Sequence, residues 1–303
     1  MILVIGGSGH YGSEIVRALI DAGKSVRVLT RDASKMKYSG AEVREGDLAN
    51  LNDFSELLAD IDSVIISLSA FKLSSMERLI DTEYHAVIRL LRACKESGIN
   101  RVVYVSVYKV PVYKGKLQRD PNIVKAAVEQ YLSDSAMNYT ILAAPASMKT
   151  FTGMYVKGRM YIPGHKLPAI PCIAASDMGA IAAAVIMRDD LSGRRLKISA
   201  AEPCSFEGAA ANLAEWSKQP VKKIIIPRGL LQLIYGLLWP AALFSSKAAY
   251  IRKVLQYSNL KKRFNYAVST ETQSNALEIK RITGIKQMNF REYLRRYPLN
   301  MPE

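Results

Sequence analysis

Gly6, Gly9 and Gly12 stand at G-x-x-G-x-x-G spacing in "GGSGHYG", residues 6–12, between an apolar run and an amphipathic one. On a strand-to-helix turn such a triplet has a use. One position allows a tight turn, one lets backbone approach a phosphate, and one lets helix and strand pack closely. The helix behind it offers N–H groups and a favourable dipole to an anion. The expectation is a dinucleotide pyrophosphate held by the loop Gly6, Gly7, Ser8, Gly9, His10, Tyr11 and Gly12. His10 either touches phosphate or fills the loop.

A second set of residues bears on which dinucleotide. "LTRD", residues 29–32, closes the second apolar run, with Thr30 and Arg31 at its tip and Lys35 and Lys37 close behind. An arginine there suits a ribose 2′-phosphate, which it can meet with two parallel hydrogen bonds. An acid there would instead hold the 2′-hydroxyl of NAD, and Asp32 leaves that alternative open. The tip favours NADP(H) over NAD(H).

The elements that must position these residues follow from hydropathy. Short apolar runs at 2–6, 25–31, 41–48, 63–70, 101–107 and 138–145 read as strands. Amphipathic stretches at 12–24, 52–61, 83–99 and 123–136 read as helices. Strands alternating with helices imply an α/β fold with a doubly wound parallel sheet covered on both faces. The expected organisation is a dinucleotide-binding domain over 1–150 and a smaller α+β substrate-binding part over 151–303. Residues 175–200, a helix and a strand, are expected to pack back on the sheet.

With these residues in hand, the sequence resembles the atypical short-chain dehydrogenase/reductases, and among them the NmrA-like group. The resemblance is carried by "GGSGHYG" (6–12), "LTRD" (29–32), "EGDLANLNDF" (45–54), "SGINRVVYVSV" (97–107), "VKAAVEQYLSDSAMNYTILAAP" (124–145) and "SDMGAIAAAVI" (176–186). It implies a Rossmann fold binding NAD(P), and it implies roles at matched positions. Asp47 and Leu48 would lie beside the adenine. Ser67, Leu68 and Ser69, ending the fourth strand, would line the cofactor crevice. Ser106 and Val107 would sit near the nicotinamide and its ribose. Lys125 would hydrogen-bond that ribose and is the one candidate catalytic residue. Pro145 and Ala146 would close over the nicotinamide.

One departure matters. Members of the wider group use Tyr-x-x-x-Lys, a tyrosine whose proton transfer the lysine assists. Four residues before Lys125 stands Pro121. Tyr108, Tyr113 and Tyr11 are the candidate substitutes, each also readable as a packing or surface residue. Tyr257 and Lys261 have the right spacing but lie far from the expected cofactor, and the match reads as coincidence.

The remaining features bound the partners. A net charge of +15 fits nucleic acid, an anionic membrane or an anionic cofactor. Residues 229–244 form the most apolar stretch, read first as a lid helix over the substrate pocket and second as a membrane-dipping helix. Six basic residues follow it: Lys247, Arg252, Lys253, Lys261, Lys262 and Arg263. Together they would make a peripheral membrane device over 229–263. No DNA-binding motif accompanies them. Cys94, Cys172 and Cys204 match no metal or disulfide pattern, and no leader is evident at the N-terminus, so a reduced cytoplasmic setting is expected. His10, His85 and His165 do not cluster with acids or cysteines, so no metal site is expected.

Three functions follow. The first is an NADP(H)-dependent oxidoreductase reducing a small or moderately apolar carbonyl, enone or quinone. The second is an NADP-sensing regulator without turnover, which the Pro121 departure favours. The third is a sugar-nucleotide epimerase or dehydratase, and the missing tyrosine counts against it.

Overall fold

A computed structural model describes residues 1–69, 76–117, 120–164, 167–227, 229–230, 233–238 and 270–299. The described residues divide into two compact units. The first draws on Met1–Pro145, Ala175–Ile198 and Ile279–Ile285; the second draws on Ala146–Ala174, Ser199–Glu278 and Lys286–Glu303.

The first unit is built on a seven-stranded sheet, every neighbouring pair parallel. Its strands are β1 (Ile2–Ile5), β2 (Val26–Thr30), β3 (Glu42–Glu45), β4 (Ser63–Ile66), β5 (Arg101–Val107), β6 (Asn138–Ala144) and β7 (Arg194–Lys197). Their spatial order is β7-β6-β5-β4-β1-β2-β3. The order reverses between β1 and β4, and that reversal is where α/β sheets open a crevice at the carboxyl ends of their strands.

Both faces of the sheet are covered, so its inner strands are apolar without alternation. All four residues of β1 and all four of β4 are buried. Edge strand β3 reads Glu-Val-Arg-Glu and is largely exposed. Its charges discourage pairing with another chain. On one face sits helix α1 (Gly12–Asp21), which buries Ile15, Val16 and Leu19. Each of those side chains contributes about 1.5–3 kcal/mol by leaving water. Helix α2 (Ala175–Ile186) packs against α1. On the opposite face, Leu90, Leu91, Val128 and Leu132 cover Leu3, Val64 and Tyr104 in one apolar cluster.

That second face is where sequence and structure part. The fourth strand ends at Ile66 and not at 70, so Ser67, Leu68 and Ser69 follow the strand instead of forming its end. Ser67 N still donates to Ile5 O at 2.9 Å. The third strand likewise stops at Glu45, leaving Asp47 and Leu48 in the turn beyond it. The helix expected from 83 begins at Met76. It runs α-helical over Met76–Ile80, as a π-helical turn over Asp81–His85, and α-helical again over Ala86–Glu96. A π turn inserts a residue and shifts the face that later side chains present, which 3.6-residue periodicity cannot anticipate. The helix expected over 52–61 shrinks to Ser55–Leu58. Arg27 ends it by donating to Leu57 O at 3.1 Å and Ala59 O at 2.7 Å.

The second unit has its own core, in which Phe151, Phe206, Phe290, Met160 and Leu213 are buried. The rings of Phe206 and Phe290 meet that of Phe151 edge-on at 5.2 and 5.4 Å. Its strand Lys222–Ile225 pairs in parallel with Arg159–Ile162. Residues 233–238 are helical and expose Leu233 and Leu237. The basic residues expected to follow (Lys247 to Arg263), together with Tyr257 and His165, lie outside the described residues. Among the described residues no helix is long and apolar enough to cross a membrane.

Candidate functional site

The glycine loop leaves β1 and enters α1 directly. Gly6 has φ +83°, and a Cβ there would stand 2.5 Å from Ser67 O. A Cβ on Gly12 would stand 2.0 Å from Gly6 O. These two positions exclude any side chain, the first by its left-handed backbone as well as by space. The loop closes with Gly9 N donating to Gly6 O at 2.9 Å and Ser13 N to Gly9 O at 2.9 Å. No side chain caps α1, so its amino end stays suited to an anion. Gly7 is buried while Gly9 and His10 are exposed. Steric exclusion at Gly6 and Gly12 and an uncapped helix end fit a dinucleotide pyrophosphate.

Two bridges fix the loop to its neighbours. Ser8 Oγ and Thr30 Oγ1 are 3.0 Å apart, which ties the loop to the tip of β2. Tyr11 Oη donates to Pro145 O at 3.3 Å, which ties it to the end of β6. Ala146, the next residue, opens a short strand of the second unit, Ala146–Ser147.

At the β2 tip the two candidate residues separate. Asp32 caps the following turn, accepting from Ser34 N at 3.1 Å and pairing with Lys35 Nζ at 2.7 Å. The Lys35 and Ser34 partners hold its carboxyl below the ordinary aspartate value. Arg31 is exposed and lines a cleft with Asp47. Asp47 itself accepts from Ala49 N at 3.1 Å, a side-chain turn, and Leu48 is buried in the core.

Below the crevice lies a buried polar cluster. Lys125, on the helix α3 (Pro121–Asp134), is 7% exposed. Its ammonium pairs with Glu83 Oε2 at 2.8 Å and donates to Leu68 O at 2.9 Å. It also lies 5.1 Å from the centre of the Tyr104 ring. Burial alone would pull the Lys125 pKa down, but the Glu83 carboxylate outweighs it, and the pKa is held above the ordinary lysine value. Tyr104 is wholly buried; burial pushes its hydroxyl well up, with Lys125 opposing only in part. That hydroxyl has no hydrogen-bond partner among the described residues. Beside this group, Ser106 Oγ donates to Glu129 Oε1. Glu129 in turn pairs with Arg195 Nε at 2.8 Å, and Arg195 Nη2 holds Val107 O at 2.8 Å.

The structure therefore brings Leu68 and Lys125 together, Ser8 with Thr30, and Tyr11 with Pro145. Ser69 is exposed, at the end of the described segment 1–69. Pro121 opens α3, where Asp120 caps the helix by accepting from Asn122 N at 2.8 Å. The residue type expected four before the lysine is thus replaced by a helix-starting proline. Of the substitute tyrosines, Tyr11 is committed to Pro145 O, Tyr108 is buried with Lys197 5.9 Å from its ring, and Tyr113 is half-buried on the loop after β5.

Sequence reasoning missed Glu83, Glu129 and Arg195. Glu129 left a signal: it stands one helical turn after Lys125 on an otherwise apolar face. Glu83 left none, because the π turn sets its direction. Cys94, Cys172 and Cys204 are all free and buried. Cys172 and Cys204, far apart in sequence, meet in the second unit, where the Cys204 thiol and burial push Cys172 up. No group of histidines, cysteines and acids among the described residues is arranged to hold a metal.

The sheet order, the crevice and the glycine turn define the class: a doubly wound, Rossmann-type α/β protein. The chain belongs to the NmrA-like family, whose model matches residues 1–294. It is 30% identical over 157 residues to the photosystem II assembly factor Ycf39 of Synechocystis sp., a match covering 51% of this chain and 47% of that protein. The chain spans about half the length of the Ycf39 relatives it matches. It is 24% identical over 238 residues to an NAD(P)H azoreductase of Xenophilus azovorans, covering 75% of this chain and 77% of the other. In fold it is similar to the NADPH-dependent quinone oxidoreductase QOR2 of Escherichia coli, solved with NADPH. That likeness has a TM-score of 0.71 at 16% identity and covers 98% of this chain and 99% of the other.

Proposed function

We propose that the protein binds NADP(H) and transfers hydride from it to a small or moderately apolar carbonyl, enone or quinone. The observation that carries this reading is the glycine turn, where Gly12 leaves 2.0 Å between a notional Cβ and Gly6 O at the mouth of an uncapped helix. The cofactor, when bound, supplies the hydride. Gly6, Gly7, Ser8, Gly9, His10, Tyr11 and Gly12 would hold the pyrophosphate. Thr30 and Arg31 would meet the adenosine ribose and its 2′-phosphate, with Asp47 and Leu48 beside the adenine. Asp32 is occupied as a cap, which supports NADP(H) over NAD(H). Ser67, Leu68 and Ser69 would line the crevice. Ser106, Val107, Lys125, Pro145 and Ala146 would surround the nicotinamide end. Lys125 gives protons to Glu83 and Leu68 and lies beside Tyr104; its third ammonium proton would turn to a ribose hydroxyl when the cofactor is bound. The azoreductase and quinone oxidoreductase named above support reduction as the chemistry.

A second reading is NADP sensing or an assembly role without turnover. Pro121 in the tyrosine position and the full burial of Tyr104 favour it, as does the likeness to an assembly factor. The deciding experiment follows NADPH oxidation by absorbance against a panel of quinones, enones, aldehydes and azo dyes. Consumption with matching product formation supports the reductase. Saturable NADPH binding with no consumption across the panel supports the sensor.

A further inference from the structure

The tip of β2 is one wall of a cleft of about 210 Å³. That wall carries Arg31 together with Asp47, Ala49 and Asn50 from the turn after β3. The opposite wall is the helix that starts at Met76, and it presents Arg78, Asp81, Thr82 and Arg89. Three arginines and two aspartates thus line one cleft. Asp47 is turned onto Ala49 N, so its charge is shared with the backbone. Arg89 makes one hydrogen bond among the described residues, from Nη2 to Ala49 O at 2.8 Å. Its Nε is shielded from solvent and has no partner. This guanidinium is held at one corner and leaves donors over for an acceptor, and the exposed Arg78, which has an interaction of its own, lines the same cleft.

We propose that the helical wall, through Arg89 and Arg78, helps hold the adenosine 2′-phosphate opposite Arg31, and that this second wall is needed for full discrimination between NADPH and NADH. The inference rests on the proposed binding of NADP(H). Its chemistry is that of a phosphate with close to two negative charges, where NAD(H) has only a hydroxyl. One arginine can meet two of the three outer oxygens; a cation from the other side meets the rest. Asp81 and, in lesser part, Asp47 oppose the same dianion, which cations beyond Arg31 offset.

The test measures dissociation constants for NADPH and NADH by calorimetry on the wild-type chain, on Arg78→Ala, on Arg89→Gln and on the double variant. NADH is the internal control, since it shares the pyrophosphate, the nicotinamide and the fold requirement but lacks the 2′-phosphate. The expected result is a double variant that binds NADH within about twofold of wild type while its NADPH preference falls at least tenfold (~1.4 kcal/mol). Added salt should shrink the wild-type preference in the same direction. An unchanged preference in the double variant overturns the inference, and so does a parallel loss of both nucleotides. If Arg31→Glu abolishes the preference while the double variant keeps it, the cofactor reading stands and the second wall falls. If the wild-type chain binds neither nucleotide, the cofactor reading itself falls, and the inference with it.

Discussion

Lys125 Nζ stands 2.8 Å from Glu83 Oε2, and both side chains are buried. The pair joins α3 to the π turn of the helix that starts at Met76, directly beneath the crevice. It turns a residue expected to face cofactor into one that is also a structural anchor. A buried pair contributes little compared with an apolar replacement, but breaking it leaves a charge stranded.

Glu83→Ala should therefore destabilise the chain by about 3–5 kcal/mol. Glu83→Leu with Lys125→Met should recover most of that loss. Chemical denaturation of the three chains checks it, and equal losses in the single and double variants would contradict the stranded-charge account.

The same pair fixes a pH dependence. Lys125 has its folded pKa raised, so its contribution is fully present below the unfolded lysine value of about 10.4 and lost only as pH climbs past it. Stability measured between pH 6 and 9 should show no slope attributable to this pair. A difference between wild type and the Glu83→Leu/Lys125→Met double variant, which strands neither charge, that changes across that range would argue against the ammonium–carboxylate assignment.

Gly12→Ala places a methyl group where Gly6 O already stands. The turn must open to admit it. NADPH affinity should fall more than a hundredfold (~2.7 kcal/mol), with the sheet intact by circular dichroism. Retention of wild-type affinity would mean that the loop is not the pyrophosphate site.

Burial pushes the Cys94 thiol up to about 12. At pH 8 the thiol therefore stays protonated and a poor nucleophile. Labelling with iodoacetamide, read by peptide mass, should leave Cys94 unmodified in the folded chain and modify it in urea. Rapid labelling of Cys94 without denaturant would show that its cluster opens.

Much of this architecture is legible in the residues alone, and the reasons can be named. Unbroken apolar runs such as Ile2–Ile5 mark strands covered on both faces. The glycine spacing marks the turn because only Gly fits at Gly6 and Gly12. Element ends are less legible. The runs at 41–48 and 63–70 continue in composition beyond the last ladder hydrogen bond. Of the polar cluster, Lys125 is legible through the family resemblance, Glu129 leaves only its helical spacing from Lys125 and was missed, and Glu83 leaves no signal, because a π turn sets its direction. From sequence Asp32 could be the ribose acid of an NAD site; its role as a turn cap, accepting from Ser34 N and pairing with Lys35, is visible only in the structure.

The central claim is NADP(H) binding at the glycine turn with Arg31 reading the 2′-phosphate. A calorimetric titration of the wild-type chain and of Arg31→Glu with NADPH and with NADH tests it most directly. The account predicts saturable NADPH binding, at least tenfold weaker NADH binding (~1.4 kcal/mol), and loss of that preference in Arg31→Glu. No heat from either nucleotide, or an NADPH preference untouched by Arg31→Glu, would contradict it.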